Sequence, residues 1–107
     1  TVEAWINPAA GQNDATYNGI VSFGPNPASC QNRFLMSIQS NGVPSFANWC
    51  NDYVPSATSC PALPFGQWSH LSMVLSGTGT NNIRFYINGQ LVSTGTTSAA
   101  ALTNILA

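Results

Sequence analysis

The sequence predicts an all-β fold, an antiparallel β-sandwich, and three observations point there. Trp68, His70, Ser72 and Val74 alternate with Ser69, Leu71, Met73 and Leu75, the period of two that gives a strand two distinct faces. Ile83, Phe85 and Ile87 repeat the pattern after a Gly/Thr/Asn loop. Asn88-Gly89 then supplies the two residues tolerant of positive φ that a type I′ hairpin demands before Leu91-Val92 turns back.

The remaining elements follow in chain order. Thr1–Ile6 is a strand that stops at Asn7-Pro8, because proline cannot donate to a ladder. Ala9–Asn18 is polar and contains glycine, so it is a loop. Ile20–Phe23 is a short strand closed by Gly24-Pro25-Asn26-Pro27. Arg33–Gln39 and Val43–Trp49 flank Ser40-Asn41-Gly42, a second Asn-Gly hairpin. Pro44 inside the later run predicts an edge position or a late strand start. Asn51–Pro64 has several prolines and no periodicity, so a long surface loop is expected. Ala99–Leu102 and Ile105–Leu106 fit either a strand or a short helical turn. No internal repeat is visible.

Composition narrows the function. Charged residues make up 5% of the 107 residues, against about 25% in an average globular protein. Lysine is absent, Arg33 and Arg84 are the only basic side chains, and the net charge is −1. A surface built from Ser, Thr, Asn, Gln and Gly carries no basic footprint for nucleic acid. It also leaves little charge to hold copies apart, which fits either a secreted domain that simply tolerates few charges or a surface that packs against other copies or against glycan. No apolar run approaches the roughly 20 residues needed to span a membrane as a helix. At this length one domain, residues 1–107, is expected.

Several of these segments together resemble the laminin-G-like, concanavalin A-like jelly-roll family. The match rests on Trp68-Ser69-His70-Leu71, on Phe85-Tyr86-Ile87-Asn88-Gly89, on Thr1-Val2-Glu3-Ala4-Trp5-Ile6 and on Ile20-Val21-Ser22-Phe23-Gly24. The resemblance implies a sandwich with further strands before Thr1 and after Ala107, which are missing here. Either the sequence is part of a longer protein, which is favoured, or neighbouring copies complete the sheet. The resemblance is specific for fold, and such folds host lectins, glycanases, adhesion modules and spacers alike.

Three cysteines, Cys30, Cys50 and Cys60, allow three single pairings. If Asn41-Gly42 is a two-residue turn, facing residues sum to about 83, which sets Arg33 opposite Cys50. Cys30 then lies just beyond the open end of the strand, so Cys30–Cys50 is slightly preferred, with Cys60 free or bonded elsewhere. A Cys50–Cys60 bridge would instead staple the proline-rich loop. One histidine and three scattered cysteines do not make a metal site, and a bridge would imply an oxidising compartment, outside the cell or at its surface.

Catalysis is not expected. A retaining glycanase needs two carboxyl groups about 5 Å apart, and the only acids are Glu3, Asp14 and Asp52, with no such spacing. Glu3 is expected to be a buried or half-buried hydrogen-bonding group. For His70 the resemblance implies a packed position within the sandwich. Binding is the open question. Asn48-Trp49-Cys50-Asn51-Asp52-Tyr53 gathers aromatics, amides and a carboxyl, the chemistry by which loops stack sugar rings and hold their hydroxyls. Tyr17 could join Trp49, Asn51, Asp52 and Tyr53 at such a rim. The plainer alternative is that Trp49 covers the end of the hairpin and the rest is solvated loop. No cofactor is expected. Calcium is the alternative, with Asp14 and Asp52 as its only anchors and no Asp-rich loop around them. The Thr94–Ser98 and Ser76–Thr80 tracts suit O-glycans or plain turns, and no Asn-x-Ser/Thr sequon occurs. The expected function is a non-catalytic extracellular structural or adhesive module, in a cell-surface or filamentous assembly. Its partners would be other copies or other extracellular proteins, with carbohydrate binding as the alternative.

Overall fold

The computed structural model describes residues 1–11, 17–24, 33–48, 51–77 and 79–97. Their strands are β1 (Val2–Ile6), β2 (Asn18–Phe23), β3 (Phe34–Ile38), β4 (Pro44–Ala47), β5 (Ser69–Leu75), β6 (Ile83–Ile87) and β7 (Gln90–Gly95). They form two antiparallel sheets, one of four strands in the order β1-β5-β6-β7 and one of three in the order β2-β3-β4. The two sheets enclose one core, as the all-β sandwich expectation requires.

The pleat of β5 sorts its side chains as the alternation demands. Leu71 and Met73 point inward and are fully buried, as are Ile83 and Phe85 on β6. From the other sheet come Phe34, Met36, Ile38 and Phe46. Phe23 stacks on Phe34 with centroids 4.4 Å apart, and Phe34 meets Phe46 edge-on at 5.3 Å. These aromatic contacts tie β2, β3 and β4 into one apolar layer.

The β6–β7 turn forms as expected. Asn88 and Gly89 have φ of 50° and 80°, and Ile87 pairs with Gln90 across them. The Asn88 backbone N–H donates to the His70 carbonyl, and its side-chain Oδ1 accepts from the His70 N–H at 2.9 Å. One residue therefore shapes the hairpin and ties it to β5.

The β3–β4 hairpin departs from expectation by one residue. Leu35 pairs with Ala47, Met36 with Phe46 and Ile38 with Pro44, so facing residues sum to 82 rather than 83. The turn needs positive φ only at Gly42, at 85°. The loop is closed by the Gln39 N–H donating to the Val43 carbonyl, while Asn41 Oδ1 accepts from the Val43 N–H. Glycine is also required by space, since a Cβ at Gly42 would sit 2.7 Å from the Leu63 carbonyl oxygen. Pro44 opens an outer strand, the place where a missing N–H costs least.

The segment expected to be a surface loop after Asn51 is partly core. Pro55, Cys60 and Leu63 are buried. Tyr53 bridges to Phe46 through two backbone hydrogen bonds of 2.9 Å, and its hydroxyl bonds Ser93 at 2.8 Å and the Thr94 carbonyl at 3.0 Å. The segment thus covers β4 and links it to β7 on one flank. It leaves β1 and β2 as the outer strands of the opposite flank.

Cys60 is 1% exposed and carries a free thiol, so the pairings that would use it are not formed. Its side chain is a member of the hydrophobic core. Cys30 and Cys50 lie outside the described residues, as do the C-terminal segments Ala99–Leu102 and Ile105–Leu106. Among the described residues no helix is long and apolar enough to cross a membrane.

Candidate functional site

Two surfaces carry the residues of interest, the loop rim beyond β4 and the outer face of the four-stranded sheet. At the rim, the Tyr17 hydroxyl donates to Asp52 Oδ2 at 2.5 Å, joining two loops that are far apart in sequence. Asp52 Oδ1 accepts the Asn48 N–H at 3.0 Å, and Asn48 Oδ1 accepts the Asn51 N–H at 2.8 Å. Asn51 and Asp52 are exposed, and Tyr53 is half-buried. The structure therefore brings Tyr17 and Asp52 into contact and sets Asn51 beside them. Tyr53 instead turns towards β7, and its ring packs 5.5 Å from Phe85 on β6. Trp49, the remaining rim candidate, and Asp14, the second calcium anchor considered, lie outside the described residues. Among the described residues no three of His, Cys, Asp and Glu cluster as metal ligands do.

Below the rim, Thr97 donates its hydroxyl to the Asn51 carbonyl and accepts from Asn48 Nδ2 at 3.4 Å. Asn82 holds the same residue by its backbone, accepting the Thr97 N–H at 2.9 Å and donating Nδ2 to the Thr97 carbonyl at 2.7 Å. Thr97 is only 2% exposed, so this member of the Thr94–Ser98 tract is not open to O-glycosylation. Its hydroxyl fastens the rim to the end of β7.

The outer face of the four-stranded sheet differs from what the sequence suggested. Trp5 pairs with His70, and Glu3 with Ser72, across the β1–β5 ladder. Ser72 in turn pairs with Tyr86, and Tyr86 with Leu91. Because Val2, Ala4 and Ile6 pack on the core, Glu3 and Trp5 face outward. Glu3 was expected to be buried or half-buried, yet its side chain is 63% exposed. His70 was expected within the sandwich and instead lies half-buried on this outer face. It sits 5.3 Å from the Trp5 ring and has Nε2 3.5 Å from Glu3 Oε2. The reason is parity: His70 shares a side with Trp68 and Ser72, opposite Leu71 and Met73.

Trp5 and Trp68 are each 67% exposed, and Leu91 is exposed as well. Sequence reasoning passed over both tryptophans as binding candidates. The signal was available, since Trp68 is in phase with the polar face of β5 and Trp5 in phase with Glu3.

The fold and these surfaces define a lectin-like or adhesive β-sandwich module. The chain belongs to the laminin-G-like family of the concanavalin A-like lectin/glucanase superfamily, whose family model matches residues 1–105. Comparison with curated proteins and with solved structures gives no match.

Proposed function

We propose that this chain is a non-catalytic extracellular adhesive or structural module that works by protein–protein contact through the β1/β2 flank. The observation that supports this is the state of that flank. β1 and β2 each have one edge with no partner strand among the described residues. Behind those edges Val2, Ala4, Ile6, Ile20, Val21 and Phe23 pack on the core but remain half-exposed. An unpaired edge offers a row of backbone donors and acceptors, and adding a strand there would also cover apolar side chains. The charges that usually blunt such edges are scarce, with no lysine in the chain. Partners of this kind are other copies or other extracellular proteins, in keeping with a family commonly found outside cells.

Light scattering across a concentration series, with the protein alone and with candidate partners, tests this. Concentration-dependent association is expected, lost in Val2→Lys and Ala4→Lys while circular dichroism shows the fold of each variant intact. A discrete monomer that engages no protein partner would sink the proposal.

Glycan binding at the rim is the second reading, favoured by the Tyr17–Asp52 contact with Asn51 exposed beside it. Loss of sugar affinity in Trp49→Ala with the fold intact would support it, and no affinity for any sugar would remove it. Hydrolysis has less behind it, because the side chain facing Glu3 is His70 rather than a second acid.

A further inference from the structure

We propose that the turn at residues 56–59 is a modification site, with the Thr58 hydroxyl as the acceptor of an O-linked N-acetylhexosamine from a nucleotide sugar. Such transfer acts on secreted chains, so the proposal rests on the extracellular reading above, although the turn lies away from the β1/β2 flank. Ser56, Ala57, Thr58 and Ser59 are consecutive and all exposed. The stretch is nonetheless tightly built. It is anchored at its two ends by Pro55 and Cys60, both buried, and Gln39 Nε2 donates to the Pro55 carbonyl at 2.7 Å. Between them the Ser59 and Cys60 N–H groups both donate to the Ser56 carbonyl at 3.0 Å. Short polar side chains therefore stand out from a turn that the core holds in one place.

Hydrogen bonding separates the three hydroxyls. The Ser59 hydroxyl donates to the Ser56 carbonyl at 3.1 Å, which uses its proton within the turn. Ser56 Oγ lies between the other two, 3.2 Å from Ser59 Oγ and 2.7 Å from Thr58 Oγ1. Thr58 stands at the end of this row with Ser56 as its one hydroxyl neighbour, so it gives up least on being substituted. In the transfer, the Thr58 oxygen attacks the anomeric carbon of the donor and the bond from that carbon to the nucleoside diphosphate breaks. The hydroxyl proton passes to a base of the transferase. The glycosidic oxygen left behind still accepts a hydrogen bond from Ser56, so the turn keeps its shape.

The flanking residues favour a sugar over a phosphate. Pro55 and Pro61 lie three residues before and three after Thr58. Serine and threonine mixed with proline is the composition of O-glycosylated segments, because proline keeps the backbone out of helices and ladders and open to a transferase. The tracts at 76–80 and 94–98 contain no proline. In the second of them Thr97 is buried, and Thr96 Oγ1 already accepts the Asn81 N–H at 2.9 Å. A phosphate gains its stability from paired arginines, yet Arg33 bonds Ser22 on β2 and Arg84 sits on β6. A neutral sugar needs no such partner. The segment that carries the turn covers β4, on the flank opposite β1 and β2. A sugar on Thr58 makes that side unfit for packing and directs contact between chains to the β1/β2 flank.

The test offers the purified, folded chain to a mucin-type polypeptide acetylgalactosaminyltransferase with UDP-N-acetylgalactosamine. Intact mass reads the addition, and electron-transfer fragmentation locates it. The expected result is a single acetylhexosamine on Thr58, absent from Thr58→Val and still added, more slowly, to Thr58→Ser. Pro61→Ala should slow the transfer several-fold. Three results would overturn the proposal. One is no transfer to the folded chain. Another is transfer only after urea is added, which would make the turn inaccessible in the native fold. The third is transfer to residues 76–80 or 94–98 with Thr58 left bare. The wild-type result stands even if a variant fails to fold. Because the assay uses purified protein, its failure strikes the acceptor site alone. The extracellular reading fails separately, if the chain is recovered only inside cells.

Discussion

The ring of Tyr53 lies against Gly95 so closely that a Cβ at residue 95 would overlap three of its atoms. The contact joins the segment covering β4 to the last strand, and the tyrosine hydroxyl completes it through Ser93 and the Thr94 carbonyl.

Gly95→Ala should therefore expel the ring, at a cost of about 1–3 kcal/mol, the usual range for overpacking. Tyr53→Phe keeps the packing and removes the hydroxyl, so about 1 kcal/mol is expected. Urea unfolding of both variants checks the order. Equal costs would mean that the ring is not confined by residue 95.

Asn82→Ala should be more damaging than its size suggests. The change strands the Thr97 N–H and carbonyl in a site where Asn82 and Thr97 are both 2% exposed. A buried donor or acceptor left unmet costs about 1–3 kcal/mol. Amide exchange at Thr97 should speed up together with that of Asn51, because the Thr97 hydroxyl carries the constraint to the rim. An accelerated Thr97 beside an unchanged Asn51 would contradict the coupling.

Cys60 should behave as an inert thiol. Burial pushes its pKa from the ordinary 9.0 up to about 11, partly offset by a hydrogen bond with Ser93. The folded state thus holds the proton more tightly than the unfolded state. Its contribution to stability is present in full below pH 9.0 and is lost as the pH rises towards 11. Iodoacetamide at pH 8 should label Cys60 only after denaturant is added, as mass spectrometry of the modified peptide would show. Labelling of the native protein at the rate of a free peptide would refute this.

Tyr17→Phe separates two possible uses of the rim. If the hydroxyl only ties the loops together through Asp52, the variant should lose about 1 kcal/mol of stability or less, since the bond is exposed. If the rim also takes a sugar, affinity should fall by more than that loss of order explains. Unfolding and sugar titration on the same sample distinguish the two.

The strands of the second half of the chain were legible because each local signal agreed with the next. Leu71, Met73, Ile83 and Phe85 alternate in phase, and Asn88-Gly89 admits one turn type. The β3–β4 hairpin misled by one residue because Asn41-Gly42 suits a two-residue turn equally well. Only the contact of Gly42 with Leu63, which lies far along the chain, selects the longer loop. The core role of Cys60 and Leu63 was hidden for a similar reason. Three prolines abolish periodicity, and burial without periodicity leaves no local trace. At the candidate sites, Asp52 and Tyr17 were named from chemistry alone and do meet. Glu3 and His70 were expected in packed positions because the family resemblance implies them, whereas the phase of neighbouring residues was the better guide.

The alternation along β1 and β5 has an evolutionary consequence. Val2, Ala4, Leu71 and Met73 answer to the core, while Glu3, Trp5 and His70 face away from it and contact one another. Replacing the second set leaves the first undisturbed, because a pleat turns neighbouring residues in opposite directions. A substitution on the outer side of this pleat therefore changes the surface of the domain first and leaves the packing of its interior in place.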